Sequence, residues 1–251
     1  MGVDNINNMK TLITGASGKL GEEFLRVYPN VLTPTIQEMD ITKPESIRFY
    51  IAKHKPDVVI HLAALTDIRI CEGNKELAWN VNVLGTGDLI KTCLENNDKC
   101  YFIYTSTASV FYGDRGNYSE DDITYPKNFY SFTKLLGEFM VKCHNKANWL
   151  IIRANFVARK KWPYPKAFTD RWGTYLFADD LVQAIKQVVG QKLTGIVHIC
   201  GEEKLSMYEL AKITTPDIRP MTLAEYSGPA LTQDMSLISK RIPAFKLRRK
   251  I

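Results

Sequence analysis

The stretch Thr11-Leu12-Ile13-Thr14-Gly15-Ala16-Ser17-Gly18-Lys19-Leu20-Gly21 decides how the chain is read. Thr11 to Thr14 reads as a short buried strand, glycines follow at once, and Lys19 to Tyr28 continues as a helix stopped before Pro29. Strand, G-x-x-G-x-x-G, helix is a dinucleotide-binding arrangement. Gly15 permits the tight turn, Gly18 lets the backbone approach a pyrophosphate, and Gly21 lets helix and strand pack closely. The helix N-terminus then offers free N–H groups and the positive end of its dipole to the phosphates. A glycine-rich turn that only joins strand to helix has the same composition. Its place at the first strand–helix junction favours the phosphate reading.

Working outward, Val31-Leu32-Thr33 reads as a second strand. It ends in Thr33-Pro34-Thr35, with neither an acid for a ribose 2′-hydroxyl nor an arginine for a 2′-phosphate, and Glu38 comes late. NAD and NADP therefore both stay open. Thr42 and Glu45 have capping-box spacing and open a helix to about His54. Val58 to Leu62 is a buried strand, a helical pattern runs from about Asn74 to Asn96, and Tyr101 to Tyr104 is the next strand. A polar loop from Thr105 to about Asn128 leads to a helix from about Phe129 to Lys146, then to the strand Leu150 to Arg153. This alternation predicts an α/β fold, a Rossmann-type doubly wound parallel sheet, over residues 1–157.

The pattern loosens over 158–251, where a small C-terminal lobe is expected. Lys160 to Gly173 is an irregular, aromatic, basic excursion; 174–200 is a strand–helix–strand unit expected to return to the sheet, with Asp179 or Asp180 as its helix cap. Ser206 and Glu209 form a second capping box, with a helix to about Ile213.

Composition narrows the class. Among 251 residues, 45% are hydrophobic, which excludes a disordered chain, and no apolar run reaches the roughly 18 residues of a membrane span. Met1 to Lys10 is polar and Asn-rich, without a signal-peptide stretch. Five scattered cysteines make no metal spacing and no disulfide framework, so a cytoplasmic protein is expected. His54 and His144 sit among polar helical residues and His198 on a strand face, so no metal is expected. Of the +6 net charge, much lies in Lys246, Arg248, Arg249 and Lys250, which reads as a solvated tail; no nucleic-acid motif accompanies it.

Tyr130-Ser131-Phe132-Thr133-Lys134 places a phenol and an ammonium one helical turn apart on one face. A neighbouring cation stabilises phenolate, lowering the tyrosine pKa so that it can exchange a proton. The spacing alone is weak, since the composition yields about one such pair by chance. A second pair, Tyr208/Lys212, sits behind the late capping box with no hydroxyl-rich loop before it and reads as structural. The first follows Thr105-Ser106-Thr107-Ala108-Ser109, hydroxyls at the carboxyl end of a strand, where open α/β sheets bind ligands.

With these three signals in order, the sequence resembles the extended short-chain dehydrogenase/reductases, in their nucleotide-sugar branch. His61-Leu62-Ala63-Ala64 is similar to the family's H-x-A-A and Asn82-Val83-Leu84-Gly85-Thr86 to its N-V-x-G-T. Ala63 to Asp67, Cys71-Glu72 and Ala78 to Asn82 look most like the dTDP-4-dehydrorhamnose reductase family. The resemblance covers roughly residues 9 to 200 and implies a Rossmann-type sheet with a shortened substrate-binding lobe.

It implies roles position by position. Tyr130 donates the proton as hydride reaches a carbonyl, Lys134 lowers its pKa and holds the nicotinamide ribose, and Thr107 hydrogen-bonds the reacting oxygen, with Ser106 and Ser109 as fallbacks. Gly15, Ser17, Gly18, Lys19 and Leu20 belong to the phosphate loop; Asp40 and Ile41 match the adenine-contacting segment; Leu62, Ala63, Ala64, Thr66, Asn82 and Thr105 border the cofactor groove. Close packing explains Ala63 and Ala64 equally simply, and an ordinary buried hydrogen bond explains Asn82. Thr107, Ser109, Asn155 and Trp162 are substrate candidates, although Trp162, Tyr164 and Trp172 serve equally as loop anchors. Lys160 and Lys161 suit a diphosphate or a solvated loop.

Two departures qualify the resemblance. Ala108 stands where the rhamnose reductases commonly carry aspartate, an arrangement nearer the 4-epimerases and unlike the Asp-Glu pair of 4,6-dehydratases. The chain is also short after Ala158, which implies a reduced pocket or one completed by a partner subunit, a homodimer being one form. The implied function is NAD(P)-dependent reduction of a 4-keto nucleotide sugar for surface polysaccharide. The alternatives are an NAD-dependent nucleotide-sugar epimerase and a non-catalytic cofactor-binding regulatory subunit. The implied partner is a nucleoside-diphosphate sugar.

Overall fold

The computed structural model describes residues 9–144 and 148–249. The Asn-rich residues 1–8, the end of the helix expected to reach Lys146, and Lys250 of the basic tail lie outside them. The first elements are β1 (Thr11–Thr14), α1 (Lys19–Val27), α2 (Pro44–His54), β2 (Val58–His61), α3 (Ile68–Gly73), α4 (Lys75–Trp79), α5 (Gly85–Asn96), β3 (Tyr101–Thr107), α6 (Phe129–Lys142) and β4 (Asn148–Ala154). Then come β5 (Phe156–Val157), β6 (Lys166–Phe168), β7 (Trp172–Gly173), β8 (Leu176–Phe177), α7 (Ala178–Gly190), β9 (Gly195–Ile199), β10 (Leu205–Ser206), α8 (Met207–Thr214), β11 (Arg219–Met221) and β12 (Asp234–Met235).

Five strands form a parallel sheet in the order β1-β2-β3-β4-β9. Register aligns Ile13, Ile60, Ile103 and Leu150 on one face and Leu12, Val59 and Phe102 on the other. The first row packs beneath Phe24 of α1 and Leu181, Ile185 and Val188 of α7. The second packs beneath Ile47 and Ile51 of α2 and Leu89, Ile90 and Cys93 of α5. Burial on both faces is what makes these strands near-continuous apolar runs. The sheet is the α/β, Rossmann-type core that the alternation predicts, and β9 extends it.

Several local expectations change. The second strand shrinks to one bridge, Ile13 N–H to Leu32 O and Leu32 N–H to Thr11 O, both 2.8 Å, because Pro34 lacks the donor that the next rung needs. The Thr42/Glu45 capping box does not form: Thr42 Oγ1 donates to Asp40 Oδ1 (2.7 Å), and α2 starts at Pro44, whose missing N–H costs nothing at a first helical position. The helix from Asn74 to Asn96 contains a wide π-helical turn, Asn80–Leu84, between α4 and α5. Asp67 starts an additional helix, α3, by accepting the Arg69 and Ile70 N–H groups.

In the C-terminal part, the Ser206/Glu209 box forms as expected. Asp179 and Asp180 cap nothing; Phe177 is the N-cap, and both carboxylates lie in the first turn of α7, paired with Arg159 and Arg248. That pairing overturns the solvated-tail expectation. Leu247 is buried, Phe245 N–H donates to Cys200 O (2.9 Å), Arg249 pairs with Glu203, and Arg248 fastens this segment to α7. Trp162, Tyr175, Phe177, Leu210, Met235 and Leu237 form a second core under β6 to β12. Among the described residues, no helix is long and apolar enough to cross a membrane.

Candidate active site

The glycine loop closes against the end of β2. Gly15 has φ +70°, and a Cβ on it would sit 2.6 Å from Ala63 N and 2.7 Å from Ala63 Cα. A Cβ on Gly21 would lie 2.5 Å from Ala16 Cα and O. Only glycine permits both approaches. Gly18 is the N-cap of α1 and brings no side-chain hydrogen bond, while Ser17, Gly18 and Lys19 are exposed. The first N–H groups of α1 thus have no side-chain cap, and this terminus fits a cofactor phosphate. Leu20 turns its side chain into the core, so its backbone is what it offers the loop.

Beneath the loop lies a hydrogen-bonded brace that sequence reasoning missed. Thr86 Oγ1 donates to Asn82 O (2.8 Å), so it accepts from His61 Nε2 at 3.0 Å; His61 Nδ1 then accepts from Thr14 Oγ1 at 2.7 Å. Thr14 Oγ1 accepts the Ala63 N–H (3.2 Å). Burial pulls the His61 pKa down to about 3, consistent with one fixed neutral tautomer. Asn82 holds Leu65 twice, accepting its N–H at 2.8 Å and donating to its carbonyl at 3.0 Å, and donates to Thr133 Oγ1 at 3.0 Å. The structure thus uses Asn82 to join the β2 loop to α6. Alternating residue types identify His61 as buried but carry no sign of these partners.

The hydroxyls after β3 converge with α6. Asn128 caps α6 through Ser131 N–H (2.9 Å), and Glu72 accepts the Phe129 N–H (2.7 Å). Ser131 Oγ donates to Ser109 Oγ (2.9 Å), which lies 3.0 Å from Thr107 Oγ1. With the Ser109 hydrogen directed at Thr107, the Thr107 hydrogen is left for Tyr130, whose phenolate it favours. Ser106 faces the other way and donates to Glu138 Oε1 (2.5 Å). Thr105 Oγ1 donates to the His61 carbonyl (2.9 Å).

Lys134 is buried, with Nζ 4.1 Å above the Tyr104 ring centre. Burial pushes its pKa down to about 7 against the opposing carboxylate of Glu138, and pushes the Tyr130 phenol up to about 12 against the Thr107 hydrogen bond. The depression of the phenol expected from the cation is not found: burial dominates both groups, and the hydrogen bond from Thr107 is what lowers the phenol pKa. Glu138 is itself held by Arg153, at 2.9 Å from Nε and 2.7 Å from Nη2. The spacing Tyr130, Lys134, Glu138 puts all three on one helical face, a signal the sequence carries.

The lowered pKa of Lys134 makes its contribution to stability rise with pH. The unfolded chain keeps this proton to about pH 10.4 and the folded chain only to about pH 7, so between those values the unfolded state binds more protons and Lys134 adds stability as pH rises. Urea titrations of wild type and Lys134→Met from pH 7 to 9 are expected to diverge, the wild type gaining on the variant. Parallel curves would contradict the shift.

Other candidates fall elsewhere. Trp162 is in the second core, its Nε1 donating to Lys166 O (3.2 Å), which is the loop-anchor role rather than substrate contact. Asn155 is buried and its Nδ2 donates to Met235 O (2.7 Å). Asp40 accepts from Thr42 and lies 3.5 Å from Lys43 Nζ; Ile41 packs against the second sheet face. Leu62, Ala63 and Ala64 are half-buried and Thr66 is exposed beyond them. Lys160 pairs with Glu22. His198 is buried, with Nδ1 near Tyr118 O and Ile238 O. No metal-ligand cluster occurs among the described residues.

A parallel sheet with a phosphate-fitted first loop, and a hydroxyl–tyrosine–lysine group at the end of β3, defines an extended short-chain dehydrogenase/reductase. The chain belongs to the RmlD substrate binding domain family, whose model matches residues 9–241. It is 31% identical over 260 residues to a dTDP-4-dehydrorhamnose reductase of Mycolicibacterium smegmatis, covering 92% of this chain and 78% of that one. A dTDP-4-dehydrorhamnose reductase structure from Clostridium acetobutylicum superposes with a TM-score of 0.83 at 27% identity, over 92% of this chain and 90% of that one. One from Bacillus anthracis, in complex with NADP, shares the fold at 22% identity and a TM-score of 0.83, over the same shares of the two chains.

Proposed function

We propose that the chain is an NAD(P)-dependent reductase of a 4-keto nucleotide sugar, of the dTDP-4-dehydrorhamnose reductase type. The observation that carries this reading is the hydroxyl chain Ser131–Ser109–Thr107 ending on Tyr130, one turn from buried Lys134. The named relatives support the substrate class. The Gly15–Gly21 loop, bordered by Ala63, Ala64 and Thr66, would hold a nicotinamide cofactor, which would supply hydride to the carbonyl carbon.

The chain's own residues handle the oxygen. Thr107 turns its hydrogen to the carbonyl and fixes its orientation. Tyr130 gives its proton to the oxygen as negative charge develops there, leaving tyrosinate, which solvent reprotonates. Lys134, charged below about pH 7 with its burial opposed by the Glu138 carboxylate, stabilises that tyrosinate. The Glu138 carboxylate, itself paired with Arg153, opposes the fall of the Lys134 pKa. Five free cysteines support a cytoplasmic site of action. Exposed Leu84, Phe132 and Phe139, around the packed helices α5 and α6, support association of two copies.

Thr107→Ala is the direct test of the oxygen-positioning role. It is expected to lower kcat about 10²-fold with cofactor affinity unchanged. A wild-type rate would pass the role to Ser109, since Ser106 is committed to Glu138.

A further inference from the structure

Helix α6, which carries Tyr130 and Lys134, is tied to the segment 62–67 at two points that straddle the tyrosine. The inner tie is Asn82, which holds Leu65 by two hydrogen bonds and donates to Thr133 Oγ1 at 3.0 Å. Thr133 Oγ1 in turn donates to Tyr130 O at 2.8 Å. The outer tie is Glu72, near the end of α3, whose Oε1 accepts the Phe129 N–H at 2.7 Å. Residues 129 and 133 are four apart, so both ties grip one face of the helix.

Glu72 is committed to this bond. Phe129 is the first residue of α6, and its N–H is one of the amides that a helix leaves without an intrahelical acceptor. Asn128, the cap, accepts only the Ser131 N–H. A carboxylate 57 residues away in sequence satisfies the Phe129 donor and places negative charge at the positive end of the helix. Lys75 lies over the Phe129 ring, 5.5 Å from its centre, and no cation pairs with Glu72 among the described residues. Cys71, the residue before Glu72, is buried, donates through Sγ to Leu65 O (3.4 Å) and stands within electrostatic reach of Tyr130. Segment 62–67, α3 and the start of α6 are thus one hydrogen-bonded unit. A helix gripped only at Thr133 is free to tilt its first turn, and the phenol hydroxyl, at the end of a long side chain, moves furthest. The grip at Phe129 removes that freedom.

We infer that Glu72 is a positioning residue for the reduction: by accepting the Phe129 N–H it sets the start of α6, and with it the Tyr130 hydroxyl, against the segment 62–67. This inference rests on the reductase reading for the reaction that it serves. Hydride and the Tyr130 proton must meet at one carbonyl. Anchoring α6 to the segment proposed to border the cofactor keeps the two donors in register.

The test compares wild type, Glu72→Ala and Glu72→Gln in three measurements: steady-state kinetics with dTDP-4-dehydrorhamnose, NADPH titration, and amide hydrogen exchange at Phe129. Glu72→Ala is expected to lower kcat about tenfold, as a small misplacement of a reacting group does. Its KM and NADPH affinity are expected to stay within about twofold, because only a transition-state contact is lost. Glu72→Gln is expected to recover most of the rate, since its side-chain carbonyl still accepts the N–H. The Phe129 amide is expected to be protected in wild type and in Glu72→Gln, and to exchange about tenfold faster in Glu72→Ala. A freely exchanging Phe129 amide in wild type would overturn the inference without any variant, should Glu72→Ala fail to fold. A wild-type kcat in Glu72→Ala, or a Glu72→Gln as slow as Glu72→Ala, would also overturn it and leave the reductase reading standing. Wild type that binds NADPH and reduces no 4-keto sugar would overturn that reading, and the positioning role with it.

Discussion

Tyr130→Phe is expected to abolish turnover, by about 10³-fold or more, while cofactor affinity and thermal stability stay within experimental error of wild type. The phenol hydroxyl is the one proton source that the Ser131–Ser109–Thr107 chain addresses. General-acid catalysis is worth roughly 10² to 10⁴ in rate, and among the described residues the hydroxyls beside Thr107 are committed: Ser106 is turned to Glu138 and Ser109 is held between two hydroxyls. Steady-state kinetics with NADPH or NADH, beside a cofactor titration, measure the two quantities separately. A variant that keeps turnover would remove Tyr130 from the chemistry.

The second large effect is on stability. Glu138 and Arg153 form an ion pair with side chains 0% and 3% exposed, through two nitrogens at 2.9 and 2.7 Å. Arg153→Met leaves the Glu138 carboxylate buried beside Lys134 with Ser106 as its remaining close donor. Removing one partner of such a pair costs about 3–5 kcal/mol, because the other charge stays desolvated. Urea denaturation is expected to show that loss, and the double variant Arg153→Met/Glu138→Leu is expected to recover a substantial part of it. A single variant as stable as wild type would contradict the account. The double variant separates stability from chemistry: Lys134 loses the carboxylate that raises its pKa, so its ammonium gives way at lower pH than in wild type.

The contrast between these residues shows what the sequence discloses. Gly15, Gly21, Tyr130 and Lys134 are legible because fixed spacing carries their roles: a left-handed turn, a close helix approach, one face of a helix. The sheet is legible because doubly buried parallel strands leave unbroken apolar runs such as Val58 to Ile60. The brace Thr14–His61–Thr86–Asn82–Thr133 is not, since its members come from five elements that only the tertiary fold brings together. Asp179 and Asp180 have the composition of a cap, yet Arg159 and Arg248 claim them from 20 and 69 residues away, a distance no local pattern reports. Trp162 is drawn into the second core for the same non-local reason. The Thr42/Glu45 box fails because Asp40, two residues earlier, competes for the threonine hydroxyl.

The central claim is net hydride transfer to a 4-keto nucleotide sugar. Nicotinamide absorbance, followed with NADPH and NADH in turn after addition of freshly generated dTDP-4-dehydrorhamnose, tests it most directly. Stoichiometric cofactor oxidation by wild type is expected, and its loss in Tyr130→Phe. Cofactor binding with no net oxidation would contradict it, and would direct attention to an epimerase or to a regulatory subunit that keeps the fold without the reaction.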